Sequence, residues 1–74
     1  MQITVRLFAT LRTNRFKEET FHYPAGTQVR KVVEDLKIPP KELALVLVNG
    51  QNASLDHVLT EGDILSLFPP VGGG

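Results

Sequence analysis

The sequence contains no cysteine. Disulfide staples and a cysteine-ligated zinc are therefore excluded, and any sulfur chemistry must use an atom other than a side-chain thiol. Neither sign of charge is in excess, because eight Lys and Arg residues stand against eight Asp and Glu. That balance gives no reason to expect nucleic acid or an anionic membrane as a partner. No basic cluster surrounds the neighbouring aromatics Phe21 and Tyr23, so a platform for single-stranded nucleic acid is not indicated either. No apolar run approaches the roughly 20 residues of a membrane span. Met1-Gln2-Ile3-Thr4 lacks a basic-then-apolar signal pattern, so a cytoplasmic protein is expected. Gly-rich phosphate cradles and local nucleophile–base pairs are missing. The two histidines, His22 and His57, are far apart and lack ligand-cluster spacing. No metal site is expected, and a local structural role is expected for His57. The chain has 74 residues, enough for one small domain with a compact core. These absences argue against an enzyme that acts alone and against a resident cofactor.

What is present reads clearly along the chain. Residues 2–8, QITVRLF, alternate with period two, so Ile3, Val5 and Leu7 share one face of a strand. Residues 9–15 read as a connection, and residues 16–23 as a second strand in an antiparallel hairpin with the first. Pro24-Ala25-Gly26 breaks the pattern, and Thr27 is placed to cap a helix. Val29, Val32, Val33 and Leu36 then form a single helical stripe, which Pro39-Pro40 must end by Ile38. Residues 43–48, LALVLV, predict a central strand, and Asn49-Gly50 a tight turn. A brief return strand at 51–53, an irregular or 3₁₀ turn at 55–59 and a turn at Glu61-Gly62-Asp63 follow. Residues 64–68, ILSLF, are the last strand. One helix must cover one face of one mixed sheet, since nothing else in the chain can. The crossover helix lets the first and last strands lie parallel. The expected class is α+β, a β-grasp domain over residues 1–68 with a tail over 69–74.

That tail is the most informative segment. Pro69 and Pro70 prefer extended backbone and cannot donate to a ladder. Val71, Gly72, Gly73 and Gly74 follow, with almost no side chain to bury. Six extended residues reach roughly 20 Å. The result is a stiff base and a thin tip, suited to a narrow channel in another enzyme. A carboxylate at Gly74 is a poor electrophile until a partner converts it with ATP to an acyl-adenylate. A sulfur donor that displaces AMP then leaves a thiocarboxylate, a soft sulfur nucleophile ionised at neutral pH, by the logic of a low-pKa thiolate.

VRLFATLR (Val5 to Arg12), LVNG (Leu47 to Gly50) and SLDHVLTEGDILSLFPPVGGG (Ser54 to Gly74) together resemble the MoaD/ThiS family of ubiquitin-like sulfur carriers. The likeness spans essentially the whole chain. FPPV followed by terminal glycines is its most specific element, and resembles the small subunit of molybdopterin synthase most. The resemblance implies that Gly74 is adenylated by a ubiquitin-activating-type enzyme and thiocarboxylated by a donor such as a persulfide sulfurtransferase. It also implies that the tail enters the large subunit of molybdopterin synthase to supply sulfur. Other acceptors (thiamin, amino acid or tRNA pathways) stay open. So do a protein modifier conjugated through Gly74 to lysines of target proteins, with Lys17, Lys31, Lys37 and Lys41 as self-targets, and a plain β-grasp adaptor.

Period-two reasoning adds a binding face. If Ile3, Val5, Leu7, Leu45, Leu47, Leu65 and Leu67 face the helix, then Phe8, Val46, Ile64 and Phe68 gather on the open side of the sheet. The ubiquitin-like pattern puts partner contacts there, beside the tail. Arg6 next to the patch is either a contact for an acidic partner or a solvated strand charge.

Overall fold

The computed structural model describes residues 1–71. Five strands and one α-helix appear in the order β1 (Gln2–Leu7), β2 (Glu18–His22), α1 (Val29–Asp35), β3 (Leu45–Val48), β4 (Gln51–Asn52) and β5 (Ile64–Phe68). They form one mixed sheet in the order β2-β1-β5-β3-β4, with β1 and β5 parallel and the other pairs antiparallel. This is the expected α+β β-grasp. The middle strand is β5, however, and β3 lies between β5 and β4. Asn49 and Gly50 take φ of 52° and 82°, as a tight hairpin turn between β3 and β4 requires.

The core lies between α1 and one sheet face. Ile3, Val5 and Leu7 of β1, Leu65 and Leu67 of β5, and Val29 and Val32 of α1 are fully buried. The phase of β3 is the reverse of the sequence expectation. Val46 and Val48 are buried, whereas Leu45 is exposed and Leu47 half-buried. The cause is register. Val46 pairs with Leu67 and Leu45 with Phe68, and residues directly opposite in a sheet share a face. Val46 therefore belongs to the core and not to the open face.

Thr27 does not cap the helix. Its hydroxyl donates to Pro24 O at 2.8 Å, and the N-cap position falls to Gln28, which makes no side-chain cap. The first helical N–H groups are met instead by a distant loop: Val29 N donates to His57 O at 2.9 Å and Arg30 N to Leu55 O at 2.8 Å. This serves the same need as a side-chain cap, because unpaired terminal donors are costly when buried. His57 thus has a structural role through its backbone carbonyl. At the other end Lys37 takes φ 57°. Lys37 N donates to Glu34 O and Ile38 N to Val33 O, a Schellman closure with lysine where glycine is usual. Arg15 adds a fastener, with Nε on Leu36 O at 3.1 Å and Nη1 on Leu11 O at 3.0 Å.

The segment read as a plain connection contains a 3₁₀ turn, Ala9–Arg12, that buries Leu11. Ala9 opens it with φ 51°. At the start of β5, Asp63 is 6% exposed and accepts Asn49 Nδ2 and Thr60 N, each at 2.8 Å. Burial pushes its carboxyl up, but the Thr60 and Asn49 hydrogen bonds outweigh burial and hold it below the usual range. Ile64 N in turn donates to Asn49 Oδ1 at 2.9 Å. The turn at 61–63 is therefore a lock that ties β5 to the β3–β4 hairpin.

Tyr23 OH donates to Asp35 Oδ2 at 2.9 Å, joining the end of the first hairpin to α1. Burial, then the Asp35 hydrogen bond and charge, push its phenol from 10.0 to about 12. Since the folded value is raised, the stabilisation is complete below the unfolded value near 10 and is lost as pH rises through about 12. The chain has one tyrosine and no tryptophan, so an alkaline ultraviolet titration reads this residue alone. The folded protein is expected to reach half-ionisation near 12, against near 10 in denaturant. A folded-state midpoint at the unfolded value would contradict the contact.

Candidate functional site

The last strand delivers the tail from the centre of the sheet. Leu7 and Leu67 are in parallel register, so the residues that follow them, Phe8 and Phe68, emerge side by side. Phe8 N donates to Leu67 O at 3.2 Å. Their rings stack with centroids 4.2 Å apart and planes 11° from parallel, a contact worth about 0.5–1.5 kcal/mol beyond area burial. On the other side of β5, Leu45 stands opposite Phe68 and Ala44 N donates to Phe68 O at 2.9 Å. Pro69 and Pro70 have no N–H and so cannot donate to a ladder along the tail. Val71 is 98% exposed.

Phe8, Ala9, Ala44, Leu45, Phe68, Pro69, Pro70 and Val71 together line one groove of ≈ 420 Å³. It is an apolar saddle at the foot of the tail. Arg12 folds back along one side. Its Nε donates to Leu7 O at 2.8 Å and its guanidinium carbon lies 5.5 Å from the centre of the Phe8 ring. The same 3₁₀ turn that buries Leu11 places it there. Arg6 projects from the open sheet face and donates to Glu18 Oε1 at 2.8 Å.

Five of the expected contact residues are thus brought together: Phe8, Phe68, Pro69, Pro70 and Val71. Ile64 shares the open face with Phe68, but it sits four residues away along β5, at about 13 Å. Arg6 flanks the groove on the same face. Val46 is excluded by its burial. Gly72, Gly73 and Gly74 lie outside the described residues. Sequence reasoning missed the groove residues Ala9, Ala44 and Leu45, and Arg12 beside them. The signal for Leu45 was its position opposite Phe68, which needs the β3–β5 register. Among the described residues no group of three His, Asp or Glu side chains is arranged to hold a metal, and no helix is long and apolar enough to cross a membrane.

Among the described residues this geometry offers an apolar saddle at the base of an emerging strand end.

A model of the ThiS family matches residues 5–74. No curated protein matches the chain. Among solved structures, a Pyrococcus furiosus protein assigned as molybdopterin converting factor, subunit 1, is 28% identical, with TM-score 0.81 over 96% of this chain and 99% of that one. SAMP1 from Haloferax volcanii is 24% identical, with TM-score 0.79 over the full length of both. A chain from the complex of subunits 1 and 2 of molybdopterin-converting factor of Helicobacter pylori is 24% identical, with TM-score 0.69 over the full length of both. The last two likenesses concern the fold.

Proposed function

Because this chain belongs to the ThiS family, we propose that it is a sulfur carrier whose Gly74 carboxylate is the working group. The observation that supports this most directly is the groove at the foot of the tail. Phe8, Leu45 and Phe68 make a preformed apolar base beneath a segment that can enter another protein. A ubiquitin-activating-type enzyme grips that base and forms the acyl-adenylate from ATP, releasing pyrophosphate. A sulfur donor such as a persulfide sulfurtransferase then attacks with its outer sulfur and forms the carbon–sulfur bond as AMP leaves; a thiol cleaves the resulting acyl disulfide, which releases the thiocarboxylate and leaves that thiol and the donor joined as a disulfide. The carrier's own part is to present the tip at a fixed reach and orientation.

The acceptor pathway we propose is molybdopterin synthesis, with a large synthase subunit as second partner. The support is the 28% identical Pyrococcus furiosus protein assigned as a molybdopterin converting factor subunit. FPPV ahead of the glycines points the same way.

Mass spectrometry of the untagged protein from its native cells tests the carrier reading. An oxygen-to-sulfur mass change is expected, confined to the C-terminal fragment. Localisation matters because oxidation of Met1 gives nearly the same change. A carboxylate throughout, even after supply of ATP, activating enzyme and sulfur donor, would refute sulfur carriage. Isopeptide-linked ladders without thiocarboxylate would replace it by protein modification.

A further inference from the structure

We propose that Asn49 is a latent self-modification site: its carboxamide deamidates against the Gly50 amide, and a clasp on Asp63 and Ile64 holds that reaction back. The site is independent of what the tail does. Asn49-Gly50 is the single Asn-Gly step in the chain, since Asn14 precedes Arg15 and Asn52 precedes Ala53.

The chemistry needs only water. The Gly50 nitrogen attacks Asn49 Cγ and closes a cyclic succinimide. The Gly50 amide proton passes to the carboxamide nitrogen, which leaves as ammonia. Water then opens the ring at either carbonyl and gives an aspartyl or an isoaspartyl residue. The nucleophile is unscreened. Asn49 and Gly50 are exposed, and a Cβ built on Gly50 would meet nothing within 4 Å. Gly50 N enters no backbone hydrogen bond among the described residues.

The electrophile is what the fold restrains. Asn49 Nδ2 donates to Asp63 Oδ1 at 2.8 Å, and Asn49 Oδ1 accepts Ile64 N at 2.9 Å. Both heteroatoms of the carboxamide are thus held across the hairpin at the start of β5. Ring closure has to rotate the carboxamide back over its own main chain, which breaks both bonds. The Ile64 bond is exposed, so the clasp opens by local fluctuation, ahead of global unfolding.

Once the ring has formed and opened, the clasp cannot close again as before. The aspartyl product puts an oxygen where Nδ2 donated, opposite Asp63 Oδ1, with no hydrogen between them. Asp63 is buried, and the Thr60 and Asn49 hydrogen bonds sustain its charge against that burial. No cation lies within salt-bridge distance of it among the described residues. Two carboxylates sharing such a site disfavour each other's charge. The isoaspartyl product also adds a methylene to the main chain and displaces the turn. Asn49 N donates to Ile64 O and Thr4 N to Asp63 O. The disturbed point is therefore where β1 and β3 both meet β5, the strand that leads to the tail.

The test is peptide-mapping mass spectrometry of the full chain during incubation in neutral buffer, folded and in denaturant, with Asn14 and Asn52 as internal references. In denaturant Asn49 is expected to convert first. In the folded chain its rate is expected to fall by about tenfold or more, set by the population of the open clasp. Asp63→Asn keeps an acceptor for Thr60 N and removes the one for Asn49 Nδ2, and is expected to restore most of the lost rate in a folded chain. Asn49→Asp reproduces the aspartyl product and is expected to lower the melting midpoint by about 5 °C or more. Asn49→Asp/Asp63→Asn exchanges amide and carboxylate across the clasp and is expected to recover most of that loss. It tests the clasp even should Asp63→Asn alone fold poorly. A folded chain that converts as fast as the denatured one would overturn the proposal, as would a folded Asp63→Asn chain that converts no faster than wild type. An exchange variant that melts no higher than Asn49→Asp would overturn the charge conflict on which the lasting effect depends.

Discussion

Deletion of Gly73 and Gly74 is expected to abolish ATP-dependent thiocarboxylation of the chain while leaving its fold intact. Among the described residues every buried core residue lies between Ile3 and Leu67, and the last ladder bonds are made at Phe68. The deletion leaves all of these in place. The shortened chain still ends in a glycine carboxylate, but one set back by about 7 Å. Adenylation needs the attacking oxygen within bonding reach of ATP, and even a 1 Å misplacement costs about 100-fold. A loss of at least that size is expected in the adenylation assay, with the melting curve unchanged. Retained thiocarboxylation in the truncated chain would remove Gly74 from the mechanism. Retained biological function in a truncated chain that is no longer thiocarboxylated would favour an adaptor, with the saddle of Phe8, Leu45 and Phe68 as its interface.

The second large effect separates two adjacent residues. Leu67→Ala is expected to cost about 2–5 kcal/mol of folding stability, as buried leucine truncations do. Leu67 is fully buried on β5, between Leu7 of β1 and Val46 of β3. A domain of this length has roughly 4–11 kcal/mol to lose, so the melting temperature should fall by about 10 °C or more. Phe68→Ala points to the other face. It forfeits the Phe8 stack and is expected to cost about 1–2 kcal/mol. Its larger consequence is on partner coupling, read as a rise in the carrier concentration needed for half-maximal adenylation. Thermal melts and adenylation kinetics on the two variants check this together. Were Leu67→Ala to melt like wild type, or Phe68→Ala to unfold while Leu67→Ala did not, the assignment of faces on β5 would be wrong.

Both predictions depend on knowing which way side chains point, and here sequence and structure contribute differently. In β1 and β5 the facing was legible, because QITVRL and ILSLF place small or polar residues between their buried ones. In LALVLV every residue is apolar, so period two has no contrast to report. Pairing of β3 with β5 decided it, burying Val46 and turning Leu45 to the groove. The helix start shows the same division. The stripe of valines announced α1, but its first N–H groups are met by Leu55 O and His57 O, some 25 residues away in sequence. A local capping rule therefore selected Thr27 in error.

The sequence by itself determined the element order, the Asn49-Gly50 turn, the stop at Pro69-Pro70 and the chemistry available to a glycine tail. Each of these follows from the conformational limits of single residues or from short-range periodicity. Tertiary structure alone decided the phase of β3, the burial of Asp63 beside Asn49, the placing of Leu11 in the core and Arg12 over Phe8, and the joining of Leu45 to the tail's base. Those features depend on register and on hydrogen bonds between segments distant in the chain, and a one-residue slip reverses every face involved.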